Sequence, residues 1–270
     1  MLDLSKTVGM PFKLVLEDWS LKYPQDYLIL KHVKIHTVKS PSLRYFYLNP
    51  VTVLINKVYG SYWLQGRQGI LEDIPFRIKL VVLNQDYVGI ETTKTKSVRV
   101  THTPRIIEGI YGKLLVIMFP EDLHTRQLAE ADDQDATQVL IDFLNPGDKI
   151  VIPVGYVYLL ANANPSQISV ALEVHNREQP KNTLYKKFKG TPFYLVLRNA
   201  SYEIVKNPQF RFVKKYKVLN KLKDKILKRF NISPKTSLLK QLTRKPSKFA
   251  WLFEASSGVE LSSLWPNILD

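Results

Sequence analysis

Between residue 11 and about residue 210 the apolar residues arrive in runs of four to eight, rich in Val, Ile, Tyr and Phe and cut by Pro, Gly, Asn and Asp. Runs of that length and texture read as strands. They stand at 27–30, 51–55, 78–83, 114–119, 139–143, 149–153, 157–161, 168–174 and 193–197, with one short helical stretch near 184–188. Many short strands with turn signals at near-regular spacing point to a barrel or a sandwich. The longest strictly apolar run, 114–119, is far below the roughly 20 residues a membrane-spanning helix needs. The opening residues MLDLSKTVGM carry Asp3 and no apolar leader core, so a cytoplasmic protein without a membrane role is expected.

After residue 210 the period changes. Val218, Leu219, Leu222, Ile226, Leu227 and Phe230 recur at helical spacing, and Lys215, Lys217, Lys221, Lys223, Lys225, Lys228 and Arg229 fill much of the rest. That pattern predicts a basic amphipathic helix over 216–230. Asn231-Ile232-Ser233-Pro234 then reads as a stop, an N-cap serine and a proline at the first helical position, opening a second helix to about Arg244. A third short helix is expected from near Ser247 to before Gly258. The chain thus divides into a β domain, 1–210, and a basic helical extension, 211–270.

The charge follows the same division. The chain carries a formal +15, but residues 1–204 hold 24 basic and 20 acidic residues while 205–270 hold 15 and 4. Between Lys206 and Phe249 a single acid faces fifteen basic residues. Self-repulsion at that density favours contact with a polyanion, and a solvated helix face is the alternative. With no cysteine, disulfide scaffolds and thiolate chemistry are excluded.

The most specific stretch runs Gly147-Asp148-Lys149-Ile150-Val151-Ile152-Pro153-Val154-Gly155-Tyr156-Val157-Tyr158-Leu159-Leu160-Ala161-Asn162. It is similar to the second cupin motif, G(X)5PXG(X)2H(X)3N, matching at Gly147, Pro153, Gly155 and Asn162, with Tyr158 where the motif has its metal-binding histidine. The resemblance implies a cupin double-stranded β-helix, a jelly-roll barrel. Beyond the motif, Asn164-Pro165, Val170-Ala171-Leu172-Glu173-Val174, Thr183 to Gly190 and Val205-Lys206-Asn207-Pro208-Gln209-Phe210 resemble the C-terminal half of archaeal cupin-type glucose-6-phosphate isomerases. In that family TKG, then HXH, then a glutamate opens the metal site, and Thr93-Lys94-Thr95 stands at the corresponding place here.

Carried over position by position, the resemblance puts Lys96 and Val98 at the two histidines, Arg105 at the glutamate and Tyr158 at the last ligand. Two cations, a valine and a neutral phenol do not hold a divalent metal, which needs anionic or imidazole donors. Arg105 cannot accept a proton either. A metal-free and cofactor-free pseudoenzyme follows, acting as a binding protein associated with nucleic acid, RNA or DNA, or with a ribonucleoprotein, through its extension. The residues expected to bind there are Lys214, Lys215, Lys217, Lys221, Lys225, Lys228, Arg229, Arg244, Lys245 and Lys248.

The alternative keeps the pocket in use, as a sugar-phosphate isomerase or sensor in which Lys96 or Arg105 stabilises an enediolate and Glu108 acts as base. Lys79, Thr93, Lys94, Thr95, Lys96, Arg99 and Arg105 are basic or polar near its mouth. They either bind an anion, a sugar phosphate or a nucleic-acid phosphate, or Lys96 and Arg105 merely fill a cavity and pair with acids such as Glu91 or Glu108. A homodimer through the barrel is compatible with either reading.

Other motifs resolve to structural roles. His32 and His36 share a strand face about 13 Å apart, and His102, His124 and His175 stand alone. The acidic run Glu130 to Asp135 reads as a solvated loop, because a phosphatase DxDxT would have to end a buried strand and a calcium loop would need its glycine and distal glutamate. The helix spacing after residue 215 superficially suggests a helix-turn-helix. Asn199-Ala200-Ser201 fits a glycosylation sequon, but the opening residues give it no export route.

Overall fold

The computed structural model describes residues 1–23, 28–29, 47, 58–66, 77–123, 139–164, 166–176, 188–199, 201–211, 213–219 and 222–252. In chain order its strands are β1 (Leu2–Asp3), β2 (Lys13–Leu14), β3 (Leu21–Lys22), β4 (Leu28–Ile29), β5 (Tyr59–Gly66), β6 (Arg77–Leu83), β7 (Tyr87–Val88), β8 (Glu91–Thr92) and β9 (Val98–Arg99). They continue with β10 (Arg105–Tyr111), β11 (Leu114–Pro120), β12 (Val139–Leu144), β13 (Lys149–Ile152), β14 (Tyr156–Asn162), β15 (Ser169–His175), β16 (Phe193–Arg198), β17 (Ser201–Lys206) and β18 (Tyr216–Val218). Helix α1 (Ser5–Val8) follows β1, and α2 (Leu222–Arg229), α3 (Leu238–Arg244) and a 3-10 helix (Pro246–Leu252) follow β18. The chain is mainly β, as its apolar runs predict.

The strands form sheets ordered β1-β2-β3, β13-β10-β15-β6-β5-β4, β18-β12-β11-β14-β9 and β17-β16-β8-β7. Pairing in the two large sheets is nested. The hairpin β11–β12 lies in the five-stranded sheet, while its flanks β10 and β13 pair in the six-stranded one. β14 then adds to β11, and β15 to β10. A hairpin folded over so that its strands divide between two sheets is a jelly roll.

The five-stranded sheet is the middle layer. On β11, Leu114, Val116 and Met118 share an apolar cluster with the six-stranded sheet, while Leu115, Ile117 and Phe119 belong to a second cluster with Phe193, Leu195 and Phe210. Successive strand residues point to opposite faces, so a strand buried on both faces must be apolar at every position. The sequence Leu114-Leu115-Val116-Ile117-Met118-Phe119 meets that requirement.

The C-terminal helices belong to the first of these clusters. Leu219, Ile226, Leu227, Ile232, Leu238, Leu239, Leu242, Phe249 and Leu252 are buried there with residues of the six-stranded sheet. α2 packs on β13, and α1 packs on β10 and α3. These helices lie on the face of β10 opposite the five-stranded sheet, as the side-chain contacts of Glu108 and Arg105 described below establish.

Local boundaries differ from the expected ones, for identifiable reasons. Tyr216–Val218 is a strand rather than the first turn of a helix, because it runs parallel to β12 with Tyr216 opposite Val139 and Val218 opposite Ile141. The Leu219 amide extends the ladder to the Ile141 carbonyl at 3.0 Å. The next helix opens at Ser237, whose hydroxyl accepts from the Lys240 amide at 3.3 Å, and not at Ser233. Gln241 occupies Ser233 instead, accepting from its amide at 2.8 Å and donating to its carbonyl at 3.0 Å. The last helix is a 3-10 helix. Between α2 and α3 the chain therefore has no three-residue turn, and the helix-turn-helix spacing does not hold.

Candidate functional site

The motif residues do structural work. Gly147 (φ +93°) and Gly155 (φ +83°) sit in the left-handed region, with nothing within 4 Å of where a Cβ would stand. Their glycine is needed for the backbone angle, not for room. Asn162 is buried and uses every polar position: its amide donates to the carbonyls of Asn84 (2.7 Å) and Gln167 (3.0 Å). Its carbonyl accepts from the Asn164 amide (2.8 Å) and the Ser169 hydroxyl (2.7 Å). The scaffold of the resemblance is thus kept as turns and a clamp.

The positions that the resemblance assigns to metal ligands hold other side chains, two of which meet. Tyr158, on β14, and Arg105, on β10, meet between the two large sheets, where the Arg105 Nη1 donates to the Tyr158 hydroxyl at 2.5 Å. Both reach Glu173 on β15, the guanidinium at 3.2 Å and the phenol at 3.3 Å. Lys79, opposite Glu173 on β6, adds its ammonium at 3.3 Å and lies over the Trp63 ring, 5.8 Å from its centroid. His175 is buried beside the same ring. Burial acts to raise the Glu173 carboxyl, but the Lys79 and Arg105 charges outweigh it and hold it below the usual range. Burial pushes the Tyr158 phenol well up, so it stays protonated. Two cations, one carboxylate and a neutral phenol leave a net positive interior, in which the Arg105 Nη1, the Lys79 ammonium and the Tyr158 hydroxyl serve one another and Glu173. These residues do not fit a divalent metal. Among the described residues no group of three or more acids or histidines is arranged to hold one.

Of the other residues expected at the pocket mouth, Lys94, Thr93, Thr95 and Arg99 take partners outside this network. Lys94 is buried between the Tyr47 and Tyr194 rings, 4.6 and 4.7 Å from their centroids, and pairs with Glu91. Burial pulls its ammonium below the usual value while Glu91 opposes the change. The Thr93 hydroxyl donates to the Asn84 carbonyl, and the Thr95 hydroxyl accepts from the Leu160 amide at 3.1 Å. Lys96 and Val98 are half-buried. Arg99 pairs at the surface with Glu121.

Glu108 cannot serve this interior. It stands three residues from Arg105 on one strand, so it points to the other face. There it lies opposite Lys149, whose ammonium is 3.0 Å from its carboxylate, with both side chains buried. Its second oxygen accepts from the Leu238 amide at 2.8 Å, where α3 begins. Lys149 also donates to the carbonyls of Gly147 (2.9 Å) and Pro234 (3.1 Å). Burial raises the Glu108 carboxyl to about 7 against the opposing Lys149 charge and Leu238 amide. The expected pairing of Arg105 with Glu91 or Glu108 is corrected accordingly: its acid is Glu173. A role for Glu108 as base beside Arg105 is excluded by the same geometry.

The cations of the C-terminal segment lie outside. Lys214 and Lys215 are exposed before β18, in which Lys217 is half-buried. On α2, Ile226 and Leu227 are buried, and Lys225, Lys228 and Arg229 are exposed together with Asp224. Arg244, Lys245 and Lys248 are exposed at the end of α3 and on the 3-10 helix. Lys221 lies outside the described residues, as do His32, His36, His124, the 130–135 acidic run and residues 184–187. Among the described residues no helix is long and apolar enough to cross a membrane.

No protein-family model and no curated protein matches the chain. Solved structures do. It is similar to the cupin domain of Drosophila melanogaster CENP-C, at 12% identity over 57% of this chain and 75% of that one, with a TM-score of 0.30. The Schizosaccharomyces pombe Cnp3 cupin domain matches at 12% identity over 50% and 74%, with a TM-score of 0.27. The coconut allergen cocosin matches at 14% over 56% and 31%, with a TM-score of 0.33. Likeness at this level says nothing of activity or partners.

Proposed function

We propose that this protein is a cupin-type jelly roll, descended from an isomerase-like barrel, that has given up catalysis and binds nucleic acid through the exposed cations of residues 211–252. The observation that carries the reading is the division of roles within α2, α3 and the 3-10 helix. Their apolar residues are fixed in the core, so Lys225, Lys228, Arg229, Arg244, Lys245 and Lys248 are held outward on a rigid surface. Cations spaced on such a surface neutralise phosphates and release their counterions. The barrel interior supports the same reading, since Lys79 and Arg105 are engaged by Glu173.

The test measures binding of 20-nucleotide RNA and DNA probes to the full chain between 50 and 300 mM KCl. Substitution of outward cations is used in place of deletion, because the helices also supply core residues. Affinity is expected to fall with salt, and the combined Lys225→Gln, Lys228→Gln, Arg229→Gln change is expected to flatten the log–log slope by about 2, at roughly 0.7–0.9 for each phosphate that is no longer neutralised. Undetectable binding at 50 mM salt, or a slope the triple substitution leaves unchanged, overturns the reading. So does binding to anionic vesicles with none to either oligonucleotide.

A further inference from the structure

The basic face contains an aromatic pair that charge neutralisation alone does not need. A 3-10 helix has three residues per turn, so residues i and i+3 eclipse. In Pro246–Leu252, Phe249 and Leu252 form the buried row. Ser247 and Ala250 form an exposed row, and Lys248 and Trp251 form the row between them, with the lysine exposed and the indole half-buried. Phe230, also half-buried, lies against that indole with ring centroids 4.3 Å apart and planes tilted by 41°. Phe230 directly follows Lys228 and Arg229, both exposed at the C-terminal end of α2. Phe230 and Trp251 pack on the core from outside, which fixes the rings in place.

Two half-buried rings thus meet where the exposed Lys228 and Arg229 directly precede one of them in the chain and the exposed Lys248 shares a helical row with the other. A duplex presents phosphates to such a patch but keeps its bases stacked inside. A single strand offers both phosphates and free base faces, and every base has a face that stacks on an aromatic ring. We infer that this patch binds single-stranded nucleic acid, with Trp251 and Phe230 stacking at least one base while Lys228, Arg229 and Lys248 hold the flanking phosphates. The inference rests on the nucleic-acid reading of the basic face and adds the class of strand it takes and the residues that select it.

The experiment compares three probes on the full-length protein at one salt concentration: an oligo-dT 20-mer, an abasic 20-mer with the same phosphates and no bases, and a 20-base-pair duplex. The base-bearing strand is expected to bind at least tenfold more tightly than the abasic strand, the factor that a stack of about 1.4 kcal/mol gives. Trp251→Leu keeps an apolar side chain and removes the ring. It is expected to bring the oligo-dT affinity most of the way down to the abasic value and leave abasic binding unchanged, and Trp251→Phe is expected to retain most of the difference. Equal wild-type affinity for base-bearing and abasic strands overturns base stacking while leaving the charge reading intact. Binding to none of the three overturns the charge reading itself. Should Trp251→Leu lower the melting temperature, Phe230→Leu and the wild-type comparison of the two strands still decide the matter.

Discussion

Replacing Glu108 by glutamine makes the energetics of the C-terminal anchor measurable. The carboxyl faces the Lys149 ammonium and the Leu238 amide, and Lys149 is shared with the Gly147 and Pro234 carbonyls. Its pKa rises from an ordinary 4.5 to about 7 on folding, so the folded chain holds this proton more tightly than the unfolded chain. A raised pKa contributes stability that is fully present below pH 4.5 and is lost as the pH climbs to about 7. At 1.36 kcal/mol per pH unit the loss is about 3 kcal/mol. Urea unfolding of the wild type and Glu108→Gln at pH 4.5, 5.5, 6.5, 7.5 and 8.5 isolates it, because the other titrating groups are common to both chains. Wild-type stability minus that of the variant is expected to decline by about 3 kcal/mol up to pH 7 and then level off. A difference that stays flat refutes the raised pKa. One that grows with pH refutes the balance itself, since it would show the Lys149 charge outweighing burial.

Further outcomes follow from the interior network and the motif. Tyr158→Phe removes a hydroxyl bonded to Arg105 and Glu173, and is expected to cost about 1–3 kcal/mol in chemical unfolding. Glu173→Gln leaves Lys79 and Arg105 without their shared counter-charge and is expected to cost more, about 3–5 kcal/mol; a smaller loss than for Tyr158→Phe contradicts the network. Gly155→Ala meets no steric obstacle but adopts φ +83°, so a stability loss of about 1–2 kcal/mol is expected from backbone conformation alone. Millimolar manganese or zinc is expected to leave the melting temperature of the wild type unchanged, and a rise of several degrees would show that a metal site exists.

How far the sequence discloses this molecule depends on whether a residue's partner lies nearby in the chain. β11 is legible because both of its faces are dry, so its six apolar residues run without interruption. β10 is not, because Arg105, Glu108 and Gly109 break its apolar pattern, and each is explained only by a neighbour on another strand or loop. For Gly109 that neighbour is the Asn145 carbonyl, which a Cβ would approach to 2.6 Å. The departure from the motif is readable at Tyr158, yet Glu173, which organises the buried network, stands 68 residues from Arg105 and carries no local signal. Tyr216–Val218 satisfies a helical period but is drawn into a strand by β12, an example of tertiary pairing overriding local pattern. The basic face is legible as charge; its aromatic pair is not, because Phe230 and Trp251 meet only after α2 and the 3-10 helix have docked.

The middle position of the five-stranded sheet also bears on motion. With one face against the six-stranded sheet and the other against the cluster around Phe193 and Phe210, β11 and its neighbours have no solvent side from which to loosen. Their amides exchange with solvent only when neighbouring layers separate, an opening close in free energy to global unfolding. Among the strands, hydrogen exchange is therefore expected to be slower at Leu115 to Met118 than along β17, an edge strand whose side chains are exposed or half-buried. In this barrel the centre moves last.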